Sequence, residues 1–201
     1  MSIPYPDKRV IRTKEKFHEV LIDLMEEKNF HDITITEIVK TAGFNRGTFY
    51  AHYEKKEELL EEVIENMFDK MKEVFRKPYE DLSVINFHDF PSNSIILFDH
   101  FIEHRQFYKL MLRQASTTNF QEGFSNQLDK YFREEFEFDV TNIDPSIDIE
   151  LFITYRINGI IGIILQWIED DFPTSPSYMG EQLLRVLNFS TEKIYIKNKN
   201  E

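Results

Sequence analysis

Cysteine is absent from this 201-residue chain, which excludes a disulfide framework and any thiolate zinc site. That suits a reducing cytoplasm, the expected location. Long apolar runs are missing as well. The longest, Ile157 to Ile168, is interrupted by Asn158 and Gln166 and falls short of the roughly 20 residues that cross a bilayer. It reads as a buried helix, and no membrane partner is expected. The first residues, Met1-Ser2-Ile3-Pro4-Tyr5-Pro6-Asp7, are polar and lack the apolar core and cleavage site of a secretory leader, so none is expected. Strand-like alternation and internal repeats are not found either. The last scarcity is positive charge: 24 lysines and arginines stand against 36 acids, for a net charge of −12.

That deficit is uneven. Residues 1–60 hold ten cations and eleven acids, and residues 61–201 hold fourteen and twenty-five. A nucleic-acid-binding segment is expected to show a basic face. If the N-terminal part binds DNA, a few well-placed cations must do the phosphate neutralisation. Otherwise the composition, 41% apolar and 30% charged, is that of a soluble globular protein.

Helical spacing dominates what is present. Residues 1–11, with two prolines, read as a short arm with Lys8, Arg9 and Arg12 close by. Thr13 is expected to cap a first helix on which Phe17, Val20, Leu21, Leu24 and Met25 recur, to about Lys28. Thr34 is expected to cap a short second helix carrying Ile35, Ile38, Val39 and Ala42. Gly43 ends it, because glycine takes the left-handed conformation of a tight turn. Phe44 follows as an anchor, and Asn45 caps a third helix from Arg46 to about Tyr53. A fourth starts near Lys55 and carries Leu59, Leu60, Val63, Ile64, Met67, Met71 and Val74 to a stop at Pro78. After a loop over 79–93, Ser92 or Ser94 opens a helix through His104. Further helices hold Phe107 to Leu112, Phe120 to Phe136, about Ile147–Glu169 and about Ser177–Thr191. The expected fold is all-α. A three-helix helix-turn-helix domain at 1–54 precedes a helical-bundle domain at 55–201.

Two short helices joined at a glycine form a helix-turn-helix, whose second helix enters the major groove with its N-terminal residues against the base edges. Asn45, Arg46 and Thr48 lie at that start. Gly47, lacking a side chain, allows close approach. Arg46 suits guanine, to which it donates two hydrogen bonds. Phe49 and Tyr53, four apart, are left to pack inward.

The motif and its flanks carry a family resemblance. Thr34-x-x-x-Ile38, Ala42-Gly43-Phe44-x-x-Gly47-Thr48-Phe49-Tyr50-x-His52-Tyr53 and Lys56-Glu57-Glu58-Leu59-Leu60 resemble the DNA-binding domain of the tetracycline-repressor (TetR/AcrR) family. The resemblance implies that Thr34 is a cap beside a phosphate and that Thr36 contacts base or phosphate. It implies that Asn45, Arg46, Gly47 and Thr48 form the base-reading edge, that Tyr50 and His52 touch the DNA backbone, and that Lys56 binds phosphate, with Lys55 a second cation. Thr36 and Glu37 depart from the basic residue that many relatives carry nearby. In the C-terminal part, Tyr155-Arg156-x-x-Gly159-x-x-Gly162-x-x-x-x-Trp167-Ile168 is similar to a subset of the family from low-GC Gram-positive bacteria. Some of that subset act as co-activators.

The family's last two helices usually form a four-helix dimer interface. Gly159, Ile160, Ile163, Trp167, Leu183, Leu184 and Leu187 are the residues expected there. Phe98, Phe101, Phe107, Tyr108, Met111, Phe124, Tyr131 and Tyr155 are candidates to line an effector pocket. His100-Phe101-Ile102-Glu103-His104 matches a zinc-peptidase pattern, but no third ligand is evident. No metal, cofactor or catalytic activity is expected. The reading is a DNA-binding transcriptional regulator, a ligand-responsive homodimeric repressor of a near-palindromic double-stranded operator. Its alternative is a co-activator on the same fold that acts through a protein partner.

Overall fold

The structure, a computed structural model, describes residues 8–86, 89–114, 119–137 and 144–188. Among these, no strand occurs and nine α-helices follow one another. They are α1 Lys8–Glu27, α2 Ile35–Thr41, α3 Arg46–Tyr50, α4 Lys56–Arg76, α5 Leu97–Glu103, α6 Arg105–Arg113, α7 Phe120–Glu135, α8 Ile149–Glu169 and α9 Pro176–Leu187. Short 3-10 turns lie at Phe30–Asp32, Lys77–Tyr79 and Ser92–Ser94.

The apolar stripe of α1 buries Phe17, Val20, Leu21 and Met25 as its spacing dictates. Its start differs from the sequence reading. Residues 8–11, expected in an arm, are already helical, and residues 1–7 lie outside the described residues. Thr13 is therefore no cap: its hydroxyl donates back to the Arg9 carbonyl at 2.8 Å, the bond a threonine inside a helix makes to the preceding turn. At the other end of the head, α4 turns Leu59, Leu60, Val63, Met71 and Phe75 inward. It stops where Pro78, which has no N–H to donate, enters the Lys77–Tyr79 turn. The last helix ends at Leu187; the expected continuation to Thr191 lies outside the described residues.

Two helices tie the N-terminal head to the bundle. α4 packs on α1 in the head and on α5 and α7 beyond it, while α6 packs on α1, α7 and α8. The core is continuous from Phe17 to Leu183, each large side chain in it contributing about 1.5–3 kcal/mol over its exposed state. By length and composition alone α8 could cross a membrane. In the fold, Ile157, Ile160, Ile161, Ile164, Trp167 and Ile168 face the bundle, and Arg156 donates to the Leu187 carbonyl at 2.7 Å. Beyond α8, Asp171 accepts from both Arg105 and Lys109 of α6 at 2.8 Å.

Candidate nucleic-acid interface

The head is built around two N-caps. The Thr34 hydroxyl accepts from the Glu37 backbone N–H at 3.2 Å, and the Glu37 carboxylate accepts from the Thr34 backbone N–H at 2.9 Å. That reciprocal box satisfies two otherwise orphaned groups at the start of α2. Glu37 also pairs with Lys28. The Lys28 hydrogen bond first, then those from Thr34, hold its carboxyl down to about 2. So Glu37, an acid where relatives carry a base nearby, fastens α2 to the end of α1. Gly43 takes φ +74° in the turn, where a β-carbon would be strained. At the start of α3, Asn45 Oδ1 accepts from the Thr48 N–H at 2.9 Å. A β-carbon on Gly47 would sit 3.2 Å from that oxygen. The absence of a side chain at 47 thus protects the cap as well as opening the surface.

Beneath this tip, Phe49 and Tyr53 are buried as expected. The Phe17 ring meets those of Phe44 and Phe49 at 5.2 and 5.5 Å. Tyr53 lies within 3.3 Å of His18 Nε2, and Lys14 donates to both oxygens of Glu62 at 3.0 Å, locking α1 to α3 and α4. Burial, then Glu62, pushes the Tyr53 hydroxyl up, and burial pushes His18 down. Above them, Thr34, Thr36, Asn45, Arg46, Gly47, Tyr50 and Lys55 are exposed, and Thr48 and His52 half-buried. The Arg46 guanidinium donates to the Thr36 hydroxyl, so two of the expected contact residues meet across the motif.

Lys56 is placed differently from the expectation. Its ammonium donates to the carbonyls of Phe30 (2.7 Å), His31 (2.9 Å) and Ile33 (2.7 Å) and lies 4.6 Å from the centre of the Phe30 ring. An ammonium has three N–H donors, and all three are engaged, so the phosphate role implied for it is not the role this geometry gives it. The same turn is gripped from the bundle by a residue that no sequence motif singles out. Gln114, buried at the end of α6, accepts from the Phe30 N–H at 3.0 Å and donates to the Met25 carbonyl at 2.9 Å. A capping-box pattern could have pointed to Glu37; nothing local marks Gln114.

The other expected sites are corrected in part. Ile160, Trp167, Leu183 and Leu184, expected in a dimer interface, are buried within the protomer. Gly159 is exposed, and Ile163 and Leu187 half-buried. Of the pocket candidates, Tyr155 is 75% exposed and lines nothing internal. Phe98, Phe101, Phe107, Tyr108, Met111, Phe124 and Tyr131 are buried in a layer of ring contacts, with Phe101 4.9 Å from Tyr108 and Phe98 5.3 Å from Trp167. Within it His100 Nε2 and the Tyr108 hydroxyl are 2.8 Å apart. Burial first, then His104, brings His100 down to about 4. Glu103 is exposed on the surface. Among the described residues no three His, Asp or Glu side chains converge to hold a metal ion.

Comparison with known proteins bears on this arrangement. A family described as "Bacterial regulatory proteins, tetR family" matches residues 19–63, and one described as "Transcriptional regulator C-terminal region" matches residues 89–189. The HTH-type transcriptional regulator YxbF of Bacillus subtilis (strain 168) is 23% identical over 176 residues, covering 85% of this chain and 43% of its own length. The chain thus spans less than half of that relative. The dhaKLM operon transcriptional activator DhaS of Lactococcus lactis subsp. lactis (strain IL1403) is 34% identical over 64 residues, 32% of this chain and 34% of the relative. Among solved structures, a TetR transcriptional regulator from Streptococcus agalactiae 2603V shares the fold with a TM-score of 0.59 at 20% identity, over 90% of this chain and 96% of that one.

Proposed function

From the premise that this chain belongs to the TetR family of bacterial transcriptional regulators, we propose that it acts as a homodimer that reads a near-palindromic operator and releases it when an effector binds the bundle. The observation that carries this reading is the exposed Asn45–Thr48 tip, set by a side-chain cap on a buried aromatic base. Two such tips, related by a two-fold axis, suit half-sites about one helical turn apart. Arg46 is the base reader, and in the free head it rests on Thr36. Thr34, Thr36, Tyr50, His52 and Lys55 flank it on the side toward the DNA backbone. No catalytic role is assigned to the chain. The effector would enter by parting the aromatic layer around His100 and Tyr108.

The test is selection of bound duplexes from a random pool, followed by titration of the winning sequence. Arg46→Ala is expected to bind it roughly 10- to 100-fold more weakly, the size of one bidentate guanine contact, and to tolerate changes at one base pair of each half-site. Unchanged affinity with unchanged preference would remove Arg46 from the reading. Failure of the wild-type protein to enrich any sequence would favour action through a protein partner.

The dimer is assigned to the face of α8 and α9 left uncovered in the protomer. Leu151, Tyr155, Gly159 and Gly162 follow one another at helical spacing and are exposed, as are Tyr178 and Val186 on α9. Small residues beside large apolar ones let two helices approach closely, and an exposed apolar stripe of this extent marks an interaction site. Tyr155→Glu is expected to weaken dimerisation at least about 10-fold in sedimentation equilibrium, since a charge is placed in the core of an interface where charges are depleted. A variant that stays as dimeric as the wild type would move the interface elsewhere.

A further inference from the structure

We propose that a basic cleft between the first two turns of α1 and the α2–α3 turn is a second DNA contact, which holds a backbone phosphate beside the groove that α3 enters. This rests on the functional reading above and adds a site to it. The cleft, about 470 Å³, is lined by Lys8, Arg9, Arg12, Thr13 and Phe44. Phe44 immediately precedes the Asn45–Arg46 tip, so the cleft and the base-reading edge share one stretch of chain. A duplex engaged by Arg46 brings its sugar-phosphate backbone to that position.

The distribution of charge selects this cleft. The head as a whole is not basic, and several of its cations are occupied. Lys14 pairs with Glu62, Lys16 with Glu19 and Lys28 with Glu37, and Lys56 is spent on carbonyls. Lys8 and Arg12, four residues apart on one face of α1, are exposed and take part in no ion pair among the described residues. Arg9 adds a third positive wall.

Their position is unfavourable for the helix itself. The first turn of α1 has no acid, and cations there oppose the positive end of the helix dipole and repel one another. An anion in the cleft offsets both effects. An arginine fork addresses phosphate oxygens in pairs, and the Phe44 ring offers an apolar wall for a deoxyribose. The Thr13 hydroxyl is already committed to the Arg9 carbonyl and only shapes the floor. No base edge is read here, so the contact adds affinity without sequence preference.

The experiment uses the full chain and a fluorescein-labelled duplex selected from a random pool, titrated by anisotropy over a range of salt concentrations. Lys8→Gln/Arg12→Gln is expected to make the slope of log K against log[salt] shallower by about 1.8, about 0.9 for each lost phosphate contact, with base preference unchanged. Lys8→Arg/Arg12→Lys is expected to keep the wild-type slope. Lys16→Gln, which alters a paired lysine on the same helix, is also expected to keep it, and circular dichroism melts check that each variant folds. An unchanged slope in the double glutamine variant, or an equal loss in Lys16→Gln, overturns the cleft while leaving the base-reading tip in place. Absence of any binding by the wild type overturns the functional reading itself and the cleft with it.

Discussion

Lys56→Met is expected to lower the melting temperature by roughly 6–12 °C, at about 2–4 °C per kcal/mol for a chain of this size, and to leave the salt dependence of DNA binding unchanged. Methionine keeps most of the aliphatic stem over Phe30 and removes only the charged head. That head supplies three hydrogen bonds, to the carbonyls of Phe30, His31 and Ile33. Each bond from a charged donor is worth about 1.5–3 kcal/mol when sheltered. The site is only partly buried, and solvent screening brings the sum down to about 3 kcal/mol. The Phe30–Asp32 turn that these bonds close sets the entry into α2, so its loosening spreads to the Thr34–Glu37 box. Arginine is not expected to rescue the variant, because a planar fork cannot address three carbonyls converging on one point. A phosphate-binding lysine predicts the reverse pair of results: an unchanged melt, and a salt slope shallower by about one.

The two lysine roles show what the sequence does and does not reveal. Local features are legible. The stripe Phe17, Val20, Leu21, Met25 marks α1, Gly43 and Asn45 mark the turn and the start of α3, and Phe49 and Tyr53 point inward because they are four apart. Each of these depends on residues within one or two helical turns. Thr13 fails as a cap because its local preference is outweighed by a helix that begins at Lys8 and runs through it. The α8–α9 face fails for a different reason. α8 is apolar on nearly every side, so its sequence carries little information about which side meets the protomer core. Trp167 and Ile160, expected at an outer face, turn inward, and Tyr155, expected inside, turns outward. The partners of Lys56 are backbone carbonyls 23–26 residues away. Every residue offers a carbonyl, so such a bond leaves no mark in the sequence.

The charge pattern has the same lesson at a coarser scale. A head with ten cations and eleven acids over residues 1–60 looks unsuited to DNA only while all ten are counted alike. Internal pairing at Lys14, Lys28 and Lys56 fastens α1, α2 and α4 together. The cations with no such task lie on the exposed side of the head. Near-neutrality is therefore the sum of an internally paired set and an outward basic set, and only the second bears on phosphate.

Gln114→Glu is expected to be the more damaging change, costing about 3–5 kcal/mol at neutral pH as an uncompensated buried charge. Gln114 is the polar joint between bundle and head. It belongs to the end of α6, yet its amide reads the Met25 carbonyl and the Phe30 N–H, on the same turn that Lys56 holds from α4. On the proposed reading, a shift of α6 on effector binding reaches α2 and α3 through this joint. Glutamate keeps the acceptor for the Phe30 N–H but turns the donor facing the Met25 carbonyl into a negative oxygen. Burial against that carbonyl raises the carboxyl above its unfolded value of about 4.3. The sign follows: the destabilisation is full above the raised folded value and is relieved as pH falls through it toward about 4.3, because the protonated acid again donates to the Met25 carbonyl. Thermal melts of variant and wild type should therefore stand far apart at about pH 8 and draw together at about pH 5. Amide exchange at Met25–Ile33 should be accelerated in the variant at the higher pH. A constant gap between the two melts, or no gap at the higher pH, would show that α6 and the head are joined by packing alone and that this amide transmits nothing.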